Sequence, residues 1–357
     1  MLKNKKVLYF TILSLIFQIF IISNTTVNKA YAHQVSKAEY VLEVNSGKVF
    51  NAVNENKKLP IASTTKIITA ITVIENFDIN KIVTVPNNCA NIEGSSIYLR
   101  AGEKISVLDL LYGLMLRSGN DCAETLACTL TDRQSFINLM NETAKKLGAT
   151  NTNLVNPHGL HNENHYSTAK DLCLITKHAL KNEIFAKIVS TKRQNISNDG
   201  FNYDRVLINK NKMLSFYEGC TGVKTGYTKK AGRCLVSSVK KNGFEIVAVV
   251  INSPEMWERS TELYDNVFNN YEMLEVYNCE NLVNSIFTDS NGNKFKIECY
   301  GKLVYPIKKD NKSNVSYKVN GIIFKDFLKN PTENGIFEIF YENKLIFSQN
   351  IFTILCK

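Results

Sequence analysis

The chain lacks several signatures that would place it quickly. It has no C-x-x-C pair among its nine cysteines, no H-E-x-x-H or other zinc spacing among its five histidines, and no nucleotide or cofactor fingerprint. It has no internal repeat and no low-complexity tract. No run of Lys and Arg interleaved with aromatics forms a nucleic-acid surface, although the formal net charge is +10. Charged residues are 21% and hydrophobic ones 44%, a balance that excludes disorder and supports a sizeable core. With 357 residues the chain can hold a catalytic domain and a smaller second one. The basic charge leaves an anionic surface or an acidic polymer as the expected environment.

The N-terminus accounts for part of that charge. Lys3, Lys5 and Lys6 precede an apolar run from Val7 to Ile22, and Ala30-Tyr31-Ala32 puts small residues before a cleavage point. This pattern reads as a secretory signal peptide over residues 1–32, since the apolar run is shorter than the roughly 20 residues of a spanning helix. Its removal takes away four lysines and no acid. In an exported chain this many cysteines could form a disulfide framework. Cys122, Cys128, Cys173 and Cys234, however, fall among apolar residues of expected helices or strands and read as buried free thiols.

The periodicity gives strands, then helices, then strands. Tyr40–Val44 and Lys48–Val53 flank Asn45-Ser46-Gly47, a hairpin signal. Ile67, Ile68, Ile71 and Ile74 lie at helical spacing, so a helix starts near Ser63 and ends before Phe77. Ser106-x-x-Asp109 and Thr168-x-x-Asp171 resemble capping boxes opening two more helices, the first halting at Ser118-Gly119-Asn120 before another that runs to Ala127. Arg233–Lys240 and Phe244–Ile251 form a hairpin around Lys241-Asn242-Gly243. Ser253-Pro254-Glu255 reads as the cap and first turn of a helix reaching Tyr271. Beyond Glu275, short β-rich runs at Phe295–Cys299, Val315–Val319, Ile336–Tyr341 and Lys344–Phe347 suggest a small all-β domain. The expected division is therefore 1–32, 33–274 and 275–357. The expected fold is α/β (α+β): an antiparallel sheet, built from both ends of the catalytic domain, with a helical cluster.

Three short elements carry chemistry. In Ser63-Thr64-Thr65-Lys66, positions i and i+3 share a helix face, so Lys66 lies beside the Ser63 hydroxyl. Serine needs an adjacent base, and lysine can serve only when burial or a neighbouring cation, for which Lys224 is the candidate, strips its proton. Ser118-Gly119-Asn120 sits at a break between helices and can aim a hydroxyl and a carboxamide into a cleft. There Ser118 can relay a proton and Asn120 can bind a substrate amide. The plain alternative is a capping turn. Lys224-Thr225-Gly226 lies on a strand, where a cation, a hydroxyl and a missing side chain let a substrate lie along the edge. The N–H of Tyr227 can then pair with that of Ser63 as an oxyanion hole. Each signal is weak alone. Their order, and the element type each falls on, give the combination its weight.

This trio matches the S-x-x-K, S-D-N and K-T-G set of penicillin-recognising serine enzymes, with Ser-Gly-Asn in the middle. With Gly222–Gly232, Asn156-Pro157-His158-Gly159-Leu160 and His165-Tyr166-Ser167-Thr168-Ala169, the chain resembles the low-molecular-mass penicillin-binding proteins, the serine D-alanyl-D-alanine carboxypeptidases, over roughly residues 38–271. The resemblance implies that Ser63 attacks the carbonyl between two terminal D-alanines of a peptidoglycan stem peptide, with Lys66 as general base. It implies that Ser118, Asn120 and Lys224 complete the proton network and that Thr225 holds the terminal carboxylate. Arg259 would add a positive charge there. β-Lactams would acylate Ser63. No metal and no cofactor is implied, and His158, His161 and His165 lack a ligand spacing. A class A β-lactamase needs a deacylating Glu, and 150–164 offers only Glu163 outside the required arrangement. A DD-endopeptidase or a silent wall-binding module stays open as an alternative. Met256 and Trp257 read as packing. Members of the family this chain resembles often end in a basic amphipathic helix lying on the membrane, whereas Ile346–Lys357 reads as strand. The expected location is the cell wall or the outer face of the membrane, with any membrane association peripheral.

Overall fold

The computed structural model describes residues 36–279, 286–288, 292, 294–298, 300–320 and 335–355. The signal-peptide reading over residues 1–32 lies outside them. Five strands make the central sheet: β1 (Ala38–Glu43), β2 (Val49–Val53), β3 (Cys220–Thr228), β4 (Gly232–Lys241) and β5 (Phe244–Ile251). Their order is β2-β1-β5-β4-β3, every pair antiparallel, and β1 registers Ala38 with Ile251 and Tyr40 with Val249. The first and last segments of the catalytic region thus close one sheet, as the strand–helix–strand pattern implies.

Both faces of this sheet are covered. Val247, Val249 and Ile251 point into a large core shared with the helices, while Ile246, Ala248 and Val250 point to the other face. Successive side chains alternate between faces, so a strand buried on both sides reads as the unbroken apolar run Ile246–Ile251. The large core holds α1 (Lys66–Asn76), α2 (Val107–Tyr112), α3 (Asn120–Leu130), α4 (Arg133–Lys146), α5 (Ala169–Ala179) and α6 (Glu183–Ser190). A one-turn helix, α7 (Met213–Phe216), leads into β3. On the opposite face, α8 (Met256–Asn270) lays Leu263, Tyr264 and Val267 on the sheet.

The capping readings hold at two of three helix starts. Ser106 and Thr168 accept from the N–H groups of Asp109 and Asp171. Ser253 does not cap α8. The helix starts at Met256 after Glu255 with no side-chain cap, and the Ser253 N–H instead donates to the Arg233 carbonyl, tying α8 to β4. The sequence reading also passed over α4 and α6, capped by Asp132 and Asn182, and the hairpin of Arg193–Ile196 with Arg205–Ile208.

The chain leaves α8 directly into β6 (Tyr271–Asn278), which pairs with β7 (Lys302–Lys308). The domain boundary expected at 275 falls inside β6. A second antiparallel sheet runs in the order Phe287–Thr288, Lys294–Glu298, Lys344–Leu355, Gly335–Tyr341, Val315–Asn320 around a small core of Tyr277, Phe337, Ile339 and Ile351. Cys122, Cys173 and Cys234 are buried free thiols and Cys128 is half-buried, without a disulfide among the described residues.

Candidate active site

Ser63 sits in a short 3-10 turn, Ala62–Thr65, immediately before α1. The turn is braced by the Thr64 hydroxyl donating to Ile61 O at 2.6 Å and the Thr65 hydroxyl donating to Ala62 O at 2.8 Å. Ala62 adopts φ +48, and the backbone here passes so close to Gly159 that a Cβ on that glycine would lie 1.9 Å from Ala62 O. Lys66 opens α1 with its side chain fully buried. Its Nζ lies 3.1 Å from Ser63 Oγ, 2.7 Å from Asn120 Oδ1 and 2.7 Å from His158 O. Burial, then the charge of Lys224, pushes the amine well below the usual lysine range. A neutral amine has two N–H donors and one lone pair. Asn120 Oδ1 and His158 O take the donors, which leaves the lone pair facing the Ser63 hydroxyl.

The peptide 156–160 is held by two histidines of defined tautomer. Leu160 N–H donates to His158 Nδ1, so Nε2 carries the proton and donates to Glu124 at 3.0 Å. Val155 N–H donates to His165 Nδ1, so His165 Nε2–H donates to Thr65 Oγ1 at 2.8 Å. Burial lowers both pKa values, that of His165 to about 3, and keeps the rings neutral. Burial alone would raise the Glu124 pKa, but hydrogen bonds from His158 and Arg133 outweigh it and hold the carboxyl at about 2. A backbone carbonyl does half the work of orienting Lys66, and carbonyls leave no trace in residue type. The role of His158 was therefore invisible as such, although its peptide belongs to a quoted motif.

After α2 the helix widens into one π turn over Gly113–Arg117 and breaks at Ser118, which takes the left-handed φ +64. Asn120 then opens α3. Its N–H donates to Ser95 O at 2.7 Å and its carboxamide N–H to Glu93 O. The Asp121 carboxylate accepts from Ser96 Oγ, Ile97 N and Leu99 N. Together these bonds fasten residues 93–99 along one rim of the cleft. The Asn120 oxygen, expected to bind a substrate amide, accepts from Lys66.

The opposite rim is β3. Lys224 is 1% exposed, and burial, then Lys210, lowers its pKa to about 7. Its Nζ donates to Thr225 O at 3.0 Å. A Cβ at Gly226 would lie 3.1 Å from Ser63 N, so only a bare backbone lets β3 approach the nucleophile this closely. Ser63 and Tyr227 both line the cleft beyond it.

Two lobes meet at Ser63. One, of about 410 Å³, is lined by Ser118, Thr225, Gly226, Lys210, Arg233 and neighbours; the other, of about 280 Å³, by Asn120, His158, Leu160 and Thr228. No carboxylate lines either. Arg259 is not brought here. Its guanidinium makes two bonds to Glu39, at 2.7 and 2.8 Å, and one to Glu262, and Glu39 is fully buried. A charge neutralised on the far face of the sheet cannot serve a substrate carboxylate. Arg233, at the start of β4 and opposite Tyr227 in register, lines the cleft instead. Lys210 joins it, donating to Ser95 Oγ at 2.9 Å. Their pattern in sequence was that of solvated strand and loop cations, which is why they passed unnoticed. Met256 and Trp257, read as packing, also line the larger lobe.

Comparison with known proteins agrees with this geometry. A family model described as D-alanyl-D-alanine carboxypeptidase matches residues 24–255. The chain is 35% identical over 275 residues to D-alanyl-D-alanine carboxypeptidase DacF of Bacillus subtilis, covering 74% of this chain and 70% of the relative. It is 31% identical over 233 residues to DacB2 of Mycobacterium tuberculosis, covering 63% and 79%. Among solved structures, penicillin binding protein 5 from Haemophilus influenzae superposes with a TM-score of 0.74 at 25% identity over 89% of this chain and 96% of that one. The Streptomyces K15 DD-transpeptidase does so with 0.61 at 31% identity, over 66% and 97%.

Proposed function

The chain belongs to the D-alanyl-D-alanine carboxypeptidase family, and from that premise we propose that it releases the terminal D-alanine of peptidoglycan stem peptides through an acyl-enzyme on Ser63. The observation that carries the reading is the fully buried Lys66 amine 3.1 Å from Ser63 Oγ, with its two other contacts taken by fixed oxygens. Neutral Lys66 takes the Ser63 proton as Oγ attacks the carbonyl between the two D-alanines. The N–H groups of Ser63 and Tyr227 hold the developing oxyanion, an effect of about 3 kcal/mol per donor in comparable enzymes. Ser118, which lines the same lobe, returns the proton to the leaving amine. Thr225, Lys224 and Arg233 hold the departing carboxylate, with Arg233 replacing the expected Arg259. Water then hydrolyses the ester with the same residues acting in reverse. Asn120 acts by aligning Lys66 and by anchoring residues 93–99.

The rest of the reading follows from this chemistry. β-Lactams, which present a strained amide and a carboxylate, acylate Ser63. The substrate lies outside the cytoplasm, so residues 1–32 act as the export signal. The catalytic domain runs from residue 33 to the end of α8, and the small β domain takes over with β6. Among the described residues no helix is long and apolar enough to cross a membrane. The test is release of D-alanine from a diacyl-L-Lys-D-Ala-D-Ala peptide, with Ser63→Ala as control. Release by the wild type alone supports the proposal. Absence of both release and penicillin labelling at residue 63 overturns it.

A further inference from the structure

Two segments leave the cleft side by side. They meet first at its edge, where Lys210 Nζ donates to Ser95 Oγ at 2.9 Å. One runs outward from Ser95 to Arg100, the other from Lys210 back along the strand Arg205–Ile208 to Phe201. They meet again farther out: Arg205 Nη2 donates to Tyr98 O at 3.5 Å, Arg100 donates to Asp199 O, and the Arg100 guanidinium lies 4.1 Å from the centre of the Phe201 ring. Along them stands a strip of uncovered apolar side chains. Ile208 and Val206 share the outward face of their strand at 57% and 45% exposure, and Tyr203, Phe201 and Tyr98 continue it at 63%, 46% and 84%. Tyr98 takes φ +62, a backbone conformation that a bulky residue rarely adopts. It is fastened there. Its N–H donates to Ser96 Oγ at 2.7 Å, the N–H of Leu99 donates to Asp121, and Arg205, which holds the Tyr98 carbonyl, is paired with buried Glu103. A fold that fixes a large aromatic residue against its backbone preference and leaves it in water presents it to a partner.

The substrate says what that partner is. With the terminal carboxylate held by Thr225 and Arg233 in the larger lobe, the rest of the stem peptide lies in the smaller one, where Gly94 and Ser95 form the wall. Five extended residues span about 17 Å, which carries the far end of a stem pentapeptide from Ser63 past Ser95 and out over the strip. That end is attached to a sugar chain. Each of its N-acetylated pyranoses has an apolar C–H face and a polar edge, the same division as a tyrosine ring and its hydroxyl. We infer that the strip is a glycan-binding surface, which holds the sugar chain from which the stem peptide hangs while the peptide's other end lies at Ser63. The inference rests on the carboxypeptidase reading, which supplies the peptide and its direction. The Tyr98 and Tyr203 rings cover pyranose faces, Phe201 backs Tyr203 with ring centroids 5.2 Å apart, and Val206 and Ile208 line the path toward the cleft.

The full chain should be given a free stem pentapeptide and the same pentapeptide attached to its N-acetylated disaccharide, with release of D-alanine as the readout. The wild type is expected to show a kcat/KM about tenfold higher on the sugar-bearing substrate. Tyr98→Asn combined with Tyr203→Ala should erase that preference and leave the rate on the free peptide within about twofold of wild type. A second readout needs no turnover. The Ser63→Ala protein should bind a peptide-free oligomer of N-acetylglucosamine in calorimetry, and the same protein with both tyrosines replaced should not. Asparagine suits a left-handed backbone better than tyrosine, so Tyr98→Asn alone should unfold at an equal or higher temperature and still lose affinity for the oligomer. A tyrosine with a structural role only would show the reverse. Equal rates on the two substrates, or oligomer binding that survives the double substitution, would overturn the inference and spare the carboxypeptidase reading. So would a concentration-dependent dimer that disappears in the double variant, because the strip would then cover a second copy of the chain. Oligomer binding that depends on the two tyrosines, without release of D-alanine from either substrate, would overturn the reading and leave the strip as a glycan surface.

Discussion

Two lysines of this chain are taken out of water in opposite ways. Lys66, beneath the cleft, is surrounded by oxygen acceptors at fixed distances and feels the charge of the buried Lys224. Lys48, where the β1–β2 hairpin meets the C-terminal strands, has its Nζ over the rings of Tyr271, Tyr305 and Tyr341 at 5.2, 5.0 and 4.5 Å. Burial lowers its pKa to about 8, with Glu342 pulling the other way. Aromatic faces attract the cation and have nothing to offer a neutral amine. Carbonyl and carboxamide oxygens bind either form, and leave a neutral amine its lone pair for other use. The Lys66 surroundings suit an amine that gives up and regains a proton, those of Lys48 an amine that stays charged. A buried lysine becomes catalytic through the neighbours that remain when the proton leaves, as well as through burial.

The sharpest way to break this comparison is to forbid proton loss. Arginine stays protonated at every accessible pH. Lys66→Arg should lower the rate of Ser63 acylation by about 10²–10⁴-fold, the range general-base catalysis commonly supplies, while Lys48→Arg should leave it within about twofold. Stopped-flow acylation with a chromogenic β-lactam checks both. Near-equal rates for the Lys66 variant and the wild type would remove Lys66 as base.

The next effect is in the pH profile. Acylation needs neutral Lys66, so kcat/KM should fall as pH drops through its lowered folded value. Lys224 has a pKa of about 7, and if it meets the substrate carboxylate as the proposed cation, kcat/KM should also fall as pH rises past about 7. Lys224→Arg should abolish that alkaline limb. Stability should move the other way. Between about 7 and the ordinary lysine value of 10.5 the unfolded chain binds a proton at this side chain and the folded chain does not, so Lys224 makes stability rise with pH across that window. Denaturant titrations at several pH values, with Lys224→Met for comparison, read this slope. A wild-type slope no steeper than that of the methionine variant counts against it.

A smaller effect lies one layer behind Lys66. Glu124→Ala removes the acceptor that His158 and Arg133 share and should cost about 2–3 kcal/mol of stability. The Glu124 pKa of about 2 lies below the ordinary 4.5, so its contribution is complete above 4.5 and fades as pH falls toward 2. The variant should therefore lose less stability than the wild type on acidification. Acid titration followed by circular dichroism tests this, and parallel curves would place the charge elsewhere.

The same contrast explains what could be read in the sequence. Ser63, Lys66, Ser118 and the Lys224–Tyr227 run were legible because each element type follows from local pattern: a helix start, a helix break, a strand. The closing of the sheet by β1 and β5 was legible from apolar runs at both ends. What escaped depends on contacts distant in the chain. The His158 carbonyl meets Lys66 across 92 positions, and Arg259 is consumed by Glu39 across 220. Arg233 looked like any strand-end cation, and only the fold places it on the cleft wall. The β6–β7 ladder was missed for a related reason: Tyr271–Asn278 continues α8 without a turn residue to announce the change.

The smallest expected effect tests the comparison from the side of Lys48. Three tyrosines drawn from the start of β6, from β7 and from the Gly335–Tyr341 strand surround one ammonium of the β1–β2 hairpin, so the contact links the catalytic sheet to the C-terminal strands. Lys48→Ala should cost about 1–2 kcal/mol, the range for partly desolvated cation–π contacts, and Lys48→Met, which keeps the stem but loses the charge, should recover only the packing share. Acylation at neutral pH should be unchanged in both. Thermal unfolding of the three proteins separates the cases. If Met matches Lys, the cage holds the lysine by its stem alone and the charge adds nothing. If Met falls with Ala, the ammonium itself joins the two regions; because its folded value of about 8 lies below the ordinary 10.5, Lys48 still makes stability rise with pH across that window, a slope absent from Lys48→Met.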